Sequence, residues 1–298
     1  MQDIYAVVEG DFGKVVVIEV MQNLVPHAHE QIQLGYWLSG GSACCHVGDE
    51  TVLLNDGVVA ACNSYQSHDM VLINATEPVI GLFLYINVAW LDDLEPVWKT
   101  PIHFTSAKIT ETPEIRETSN ALMRKILFPI KGATLCIETD VVKLLQLTVK
   151  QSIDQPKHVP RSIRRRMPDY RLRQSLAYMR ENISNMTLMN RVAAEVGVSR
   201  SRLYELFMHE IQSSPKVIWN SLRLNEAMKR IATTKESMAS VAKAVGFSSA
   251  GNFSRFFKAN IGLSPLAYRK MIRSNANVVP MSQHVRVNHF SNQTVQGP

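Results

Sequence analysis

Three histidines and one glutamine offer the first chemistry in this sequence. His27 and His29 flank Ala28, Gln33 follows four residues after the pair, and His68 lies further along. An imidazole near neutral pH can hold a transition metal through a ring lone pair, or donate to a carboxylate or hydroxyl once protonated. Hard and borderline metals prefer a carboxylate among their ligands, and Gln33 supplies only a neutral amide oxygen. The residues therefore predict an organic-ligand site with no metal and no cofactor. Metal binding, and histidines that serve only as scaffolding, stay open as alternatives. In a regular strand, side-chain alternation places His27, His29, Gln33 and Trp37 on one face, with Trp37 as an apolar wall. Nothing suggests catalysis: Cys44, Cys45, Cys62 and Cys136 have neither metal spacing nor the basic setting a reactive thiol needs.

A second set of residues is arranged for reading a polyanion. The run Val192 to Ser199 followed by Leu203 to Phe207 recurs as Val241 to Ser248 followed by Phe253 to Phe257. The offset is 49 residues up to the serines and 50 beyond them, through Ser214-Pro215 and Ser264-Pro265. A repeat of this kind marks a duplicated supersecondary unit. Each copy reads as helix, tight turn, helix. Thr187 and Ser237 are N-cap candidates for the first helices, and Ser199 and Ser248 for the second. Gly197 and Gly246 stand where the chain must adopt positive φ. This is the helix-turn-helix pattern, whose second helix enters a DNA major groove.

The elements around these residues fall into two halves of opposite charge. Residues 1–155 carry a net charge of −10 and residues 156–298 a net of +16. The duplicated unit thus sits in a strongly basic half, the footprint of a nucleic-acid binder. The acidic half begins with short β-branched runs at residues 15–20, 32–38, 43–47, 51–54, 58–62 and 79–86, separated by Gly40-Gly41, Gly48-Asp49 and Asn55-Asp56-Gly57. Such spacing predicts a small barrel or sandwich. Periodicity then turns helical, with Ile115, Leu122, Ile126 and Leu127 in one stripe and Ile137, Val141, Leu144, Leu145 and Thr148 in a second. A pair of apolar helix faces covers either the barrel or a second subunit, and a homodimer is expected. Prolines and the arginine cluster at 161–166 mark a linker. Lys216 to Ala232 predicts a rigid helix joining the two repeats, opened by Ser214 as N-cap and Pro215 at the first position. No apolar run is long enough to cross a membrane and no signal peptide is evident, so a cytoplasmic protein is expected.

Two resemblances sharpen these readings. The histidine pair, the glycine seven residues after Gln33 and the later His68 resemble a cupin, with Gln33, Asn63 and Tyr65 departing from its pattern. Val192 to Met271, above all Phe256-Phe257-Lys258 and Ile261-Gly262-Leu263-Ser264-Pro265, resembles the AraC/XylS transcriptional regulators. That resemblance implies an α+β two-domain fold. It assigns 1–104 to a cupin-like effector-binding β-barrel, 105–153 to a helical dimerisation hairpin, 154–170 to the linker, 171–274 to the DNA-binding domain and 275–298 to a disordered tail. It implies promoter DNA, RNA polymerase and a small-molecule effector as partners, and activation of transcription. By position, the first recognition helix then exposes Arg200, Ser201, Tyr204 and Glu205, and the second exposes Ser249, Ala250, Gly251, Ser254 and Arg255. Arg255 suits guanine and Glu205 suits cytosine N4, whereas Ser199, Arg202, Ser248 and Lys258 suit phosphates. A regulator that ignores ligands, using the barrel only to dimerise, and a metal-dependent cupin enzyme fused to a DNA module stay open as other functions.

Overall fold

A computed structural model describes residues 3–93, 102–130, 135–154, 169–185, 188–261, 264–275 and 286–289. The N-terminal half is built from β1 (Asp3–Gly10), β2 (Gly13–Val20), β3 (Leu24–His27), β4 (Ile32–Gly40), β5 (Ala43–Val47), β6 (Glu50–Leu54), β7 (Val58–Cys62), β8 (His68–Leu72) and β9 (Val79–Ile86). After the short helix α1 (Val88–Asp93) come β10 (Lys108–Thr110), α2 (Pro113–Leu127) and α3 (Glu138–Asp154). A seven-stranded sheet runs β10-β7-β4-β9-β2-β1-β11, and a four-stranded sheet runs β3-β8-β5-β6.

Alternation along β4 shows why the sheets need partners on both faces. Ile32, Leu34 and Tyr36 are buried against the helices, while Gln33 and Trp37 point to the space between the sheets, where Cys45, Val52, Leu54, Met70 and Phe83 form a second core. The helical stripe closes the first core. Ile115, Leu122 and Ile126 of α2, and Val141, Leu144 and Leu145 of α3, are fully buried with Leu34, Tyr36 and Leu84 of the sheet. Thr112 caps α2 by accepting from Ile115 N, with Pro113 at the first position. Thr148 Oγ1 lies 2.8 Å from the buried Tyr36 hydroxyl, tying α3 to β4. The stripe expected to serve a barrel or a second subunit is therefore spent on the chain's own sheet.

The basic half holds α4 (Tyr170–Glu181), α5 (Leu188–Glu195), α6 (Arg200–Ile211), α7 (Pro215–Thr233), α8 (Met238–Ala244), α9 (Ala250–Ile261) and α10 (Pro265–Asn275). Ser214 caps α7 and Pro215 opens it, as the sequence predicts, but the helix has 19 residues rather than 17. At 1.5 Å per residue it spans roughly 28 Å. It serves two cores: Ile218 and Leu222 join Leu203, Leu206 and Phe207, and Leu224, Ala227 and Ile231 join Val241, Phe253 and Phe257.

One boundary changes. Residues 286–289, within the segment expected to be a disordered tail, form β11 (Arg286–His289) and pair antiparallel with β1. An edge strand offers a row of unpaired backbone groups, and a short extended segment satisfies them whatever its side chains. The arginine cluster at 161–166 and the Thr187 cap lie outside the described residues.

Candidate nucleic-acid interface and histidine cluster

The two turns that aim the recognition helices are built alike. Val198 N donates to Ala193 O (2.9 Å) and Gly197 N to Ala194 O (3.1 Å); Phe247 N donates to Ala242 O (2.8 Å) and Gly246 N to Lys243 O (3.0 Å). This paired closure of a helix C-terminus needs a left-handed residue, and Gly197 (φ 67°) and Gly246 (φ 77°) supply it. Ser199 then caps α6, accepting from Arg202 N at 3.1 Å. In the second unit the cap is Ser249, which accepts from Asn252 N at 3.2 Å. Ser248, expected to be that cap, is the extra residue of a longer turn. The step from 49 to 50 in the repeat offset already carried this signal, because 199 plus 50 is 249.

Both recognition helices present a polar face. Arg200, Ser201, Arg202, Tyr204 and Glu205 are exposed on α6, and Arg200, Ser201, Tyr204 and Glu205 border one surface concavity. Ser248, Ser249, Gly251, Arg255 and Lys258 are exposed at α9, with Ala250 and Ser254 half-buried. Two of these groups are already held. Arg202 Nη1 pairs with Glu205 Oε2 at 2.9 Å, so the carboxylate proposed for cytosine is shared with an arginine. Arg255 Nη2 donates to Asn252 Oδ1 at 2.6 Å. Asn252, exposed on the leading turn of α9, was missed by the sequence reading; its signal was its place one position after Gly251 on a helix start.

Between the units, Arg223 of α7 fixes the second turn from within. Its Nε donates to Val245 O at 2.6 Å, and its guanidinium stacks on Phe247 at 3.8 Å and Trp219 at 4.7 Å. Desolvation lowers its pKa to about 10, which leaves it charged at neutral pH.

The barrel gathers four of its five predicted ligand-site residues. β3 pairs with β8 so that His27 lies opposite His68, and their rings are 4.3 Å apart; the His29 and His68 rings are 4.8 Å apart. Gln33 Oε1 lies 2.8 Å from His29 Nε2 and 3.2 Å from His68 Nε2. Burial disfavours the charged rings. It lowers the pKa of His27, sends His29 to about 3 with help from the neighbouring His27, and puts His68 well below its usual value. Trp37 stands apart. The Phe83 ring fills the space above Gly35, between Gln33 and Trp37 on that face, and the Trp37 indole donates to Gly41 O at 2.8 Å. Tyr85 takes the aromatic place instead, its ring 5.3 Å from His29 and 4.4 Å from the Lys14 ammonium. Strand alternation could not find either residue, because both reach the cluster from neighbouring strands.

Residues 192–271 match the family model described as a helix-turn-helix domain. The raffinose operon transcriptional regulatory protein RafR of Pediococcus pentosaceus is 36% identical over 98 residues, 33% of this chain and 35% of that one. The HTH-type transcriptional regulator MtrA of Neisseria gonorrhoeae is 25% identical over 159 residues, 53% of each chain. The matches thus span about a third to a half of the length of these curated relatives. In fold, the whole chain resembles unsaturated fatty acid bound wild-type ToxT from Vibrio cholerae strain SCE256, with a TM-score of 0.53 at 12% identity, covering 92% of this chain and 96% of that one. Over residues 192–271 the chain thus carries a helix-turn-helix domain of the AraC type.

In this chain the barrel and the helix-turn-helix domain meet directly. Ala28 N, between the two histidines, donates to Ser221 Oγ of α7 at 3.1 Å. Tyr65 (φ 61°) and Ala28 pack into the core of the first helix-turn-helix unit. The Tyr65 hydroxyl accepts from Arg180 of α4, which also pairs with Glu30 at 2.8 Å. Gln212, the left-handed C-cap of α6, accepts from Gln66 and donates to Asp49 Oδ1 at 2.9 Å. The first recognition helix is therefore tied at its C-terminus to two turns of the barrel. None of these contacts had a sequence signal, since each joins residues more than a hundred positions apart. No described helix is long and apolar enough to cross a membrane.

Proposed function

We propose that this chain is a bacterial, cytoplasmic, sequence-specific regulator of transcription. It binds promoter DNA through α6 and α9, and its barrel takes a small effector at His27, His29, Gln33 and His68. The observation that carries this reading is the pair of matched turns and caps that present two exposed polar helices on opposite ends of α7, in the half of the chain with a net charge of +16. A rigid spacer of roughly 28 Å suits recognition helices set about one DNA turn, ~34 Å, apart. Activation through contact with RNA polymerase is part of the proposal. No catalytic role is assigned.

The test is binding of the full-length protein to randomised duplex sites. Arg255→Ala is expected to cost ~1–3 kcal/mol on the preferred site and to relax preference at one base pair. Lys258→Ala weakens all sequences about equally and reduces the salt slope by about one. Unchanged selectivity in Arg255→Ala removes the base-reading role, and affinity that does not fall with salt removes DNA binding as the function.

We place the homodimer contact in the N-terminal half. Phe128 and Ile130 beyond α2 and Ile153 in α3 are 75–80% exposed apolar side chains outside the stripe that the sheet covers. Sedimentation at micromolar concentration is expected to give a dimer that Phe128→Asp dissociates; a monomeric wild type overturns this.

A further inference from the structure

The two recognition helices carry a coupled side-chain pair at the same places. Arg202 and Glu205 are the third and sixth residues of α6, and Asn252 and Arg255 the third and sixth of α9. Residues three apart share a helix face. In α6, Arg202 Nη1 meets Glu205 Oε2 at 2.9 Å. In α9 the direction is reversed, and Arg255 Nη2 donates to Asn252 Oδ1 at 2.6 Å. The duplication thus builds a donor–acceptor pair into each helix, and only its polarity differs.

That polarity sets what each pair can face. On α6 the exposed Glu205 carboxylate keeps an acceptor beside the arginine. On α9 the guanidinium has donors only, and the acceptor of the pair, Asn252 Oδ1, is engaged by it. A guanidinium cannot accept, so Oδ1 must face Arg255 and Nδ2 lies on the far side of the amide. Asn252 Nδ2 and the remaining Arg255 N–H groups make no other hydrogen bond among the described residues. The pair therefore presents an edge of donors.

This edge is open to a base pair. Asn252 and Arg255 are exposed, and Gly251 brings no side chain; a Cβ there would meet nothing within 4 Å. Glycine at such a place lets a backbone approach a ligand closely. Ser249 Oγ accepts from Asn252 N at 3.2 Å, which fixes the backbone that carries the amide. Along the helix axis Asn252 and Arg255 are roughly 4.5 Å apart, comparable with the ~3.4 Å rise of one base step, so they suit neighbouring base pairs.

We propose that Asn252 is a specificity-determining residue: through Nδ2 it reads the base pair next to that of Arg255 and selects a base with a major-groove acceptor, against cytosine. Guanine and adenine offer N7, guanine O6 and thymine O4. Cytosine at that place presents its N4 amino group, a donor facing a donor. Asn252 is also the positioning residue for the Arg255 guanidinium. The stretch under α9 is therefore acceptor-rich over two consecutive pairs. No such demand falls on the stretch under α6, where Glu205 remains, so the operator has unlike halves. This inference deepens the regulator reading above and rests on it.

The test is selection from randomised duplexes by the full-length protein and its variants, scored base by base. The Arg255 position is the one that Arg255→Ala relaxes. Beside it, wild type is expected to disfavour cytosine by about fivefold or more. Asn252→Ala reduces that to below about twofold, and it weakens the guanine preference because Arg255 loses its partner. Asn252→Asp keeps an acceptor for Arg255, so the guanine preference stays. It also replaces the donor by an acceptor, so the neighbouring preference reverses toward cytosine. Aspartate in the first turn of a helix is favoured by the helix dipole, and a misfolded variant cannot reverse a preference. A wild type indifferent to cytosine there, or Asn252→Asp with the wild-type profile, overturns the inference. Changes confined to the Arg255 position in both Asn252 variants overturn it as well, since they leave a positioning role alone. In all three outcomes the wild type still selects sequences, and the regulator reading stands. A wild type that binds duplexes with no preference, or not at all, overturns that reading and this inference with it.

Discussion

Phe257→Ala is expected to destabilise the DNA-binding domain by about 3–5 kcal/mol, a large share of the stability of a domain this size. Phe257 is fully buried, and its ring lies 5.7 Å from Phe253 and 5.4 Å from Tyr268. It faces Leu224 and Ile231 of α7 and Val241 of α8, so removing it opens a cavity where three helices meet. The backbone around it cannot collapse freely, because Arg223 pins Val245 O and α10 closes the other side. Tyr204→Ala is the matching surface change on α6. That side chain is 52% exposed, so its removal stays within ~0.5 kcal/mol while weakening DNA binding. Urea unfolding followed by circular dichroism separates the two. A loss below about 1 kcal/mol in Phe257→Ala would mean that α9 is not anchored as described.

The second large effect contrasts two glycines that the repeat makes equivalent. Gly197 and Gly246 both need positive φ, which costs an alanine roughly 1–2 kcal/mol. Space separates them. A Cβ at Gly197 meets nothing within 4 Å, whereas one at Gly246 would lie 2.8 Å from Ser184 O and 3.0 Å from Ser184 C. Ser184 follows α4 and belongs to the first unit, beside Ile183, whose carbonyl accepts from the Trp219 indole at 3.1 Å. The second turn is thus pressed against the backbone of the first unit, and neither side is a flexible side chain that can swing away. Gly197→Ala is expected to lose about 1–2 kcal/mol and Gly246→Ala about 3 kcal/mol or more, as strain adds to backbone crowding. Gly246→Ala also shifts one recognition helix relative to the other, so it weakens DNA binding more than its stability loss explains. Equal unfolding midpoints for the two variants would sink the account of this contact.

What the sequence determined by itself was everything that depends on neighbours a few residues apart. The apolar spacing of the repeats, the turn glycines and the capping hydroxyls at Ser199, Ser214 and Ser237 act within one or two helical turns, so they are legible without the fold. The offset step at the second turn even encoded the Ser249 cap. The β-branched runs of β2, β7 and β9 were equally plain. β3 and β8 are short and polar at one end; β8 pairs with β5 on one side and β3 adds to its other edge, which brings His27 opposite His68. The partner of the α2 and α3 stripe was undecidable from periodicity, since an apolar face fits any apolar surface; the sheet supplied it. Whether Trp37 joins the histidines depended on Phe83, a side chain from another strand. The Ala28–Ser221 and Gln66–Gln212 contacts join positions 193 and 146 residues apart, and no local preference specifies such pairs. Tertiary structure decided them because burial of the joined cores, rather than any propensity of the residues, sets which surfaces meet.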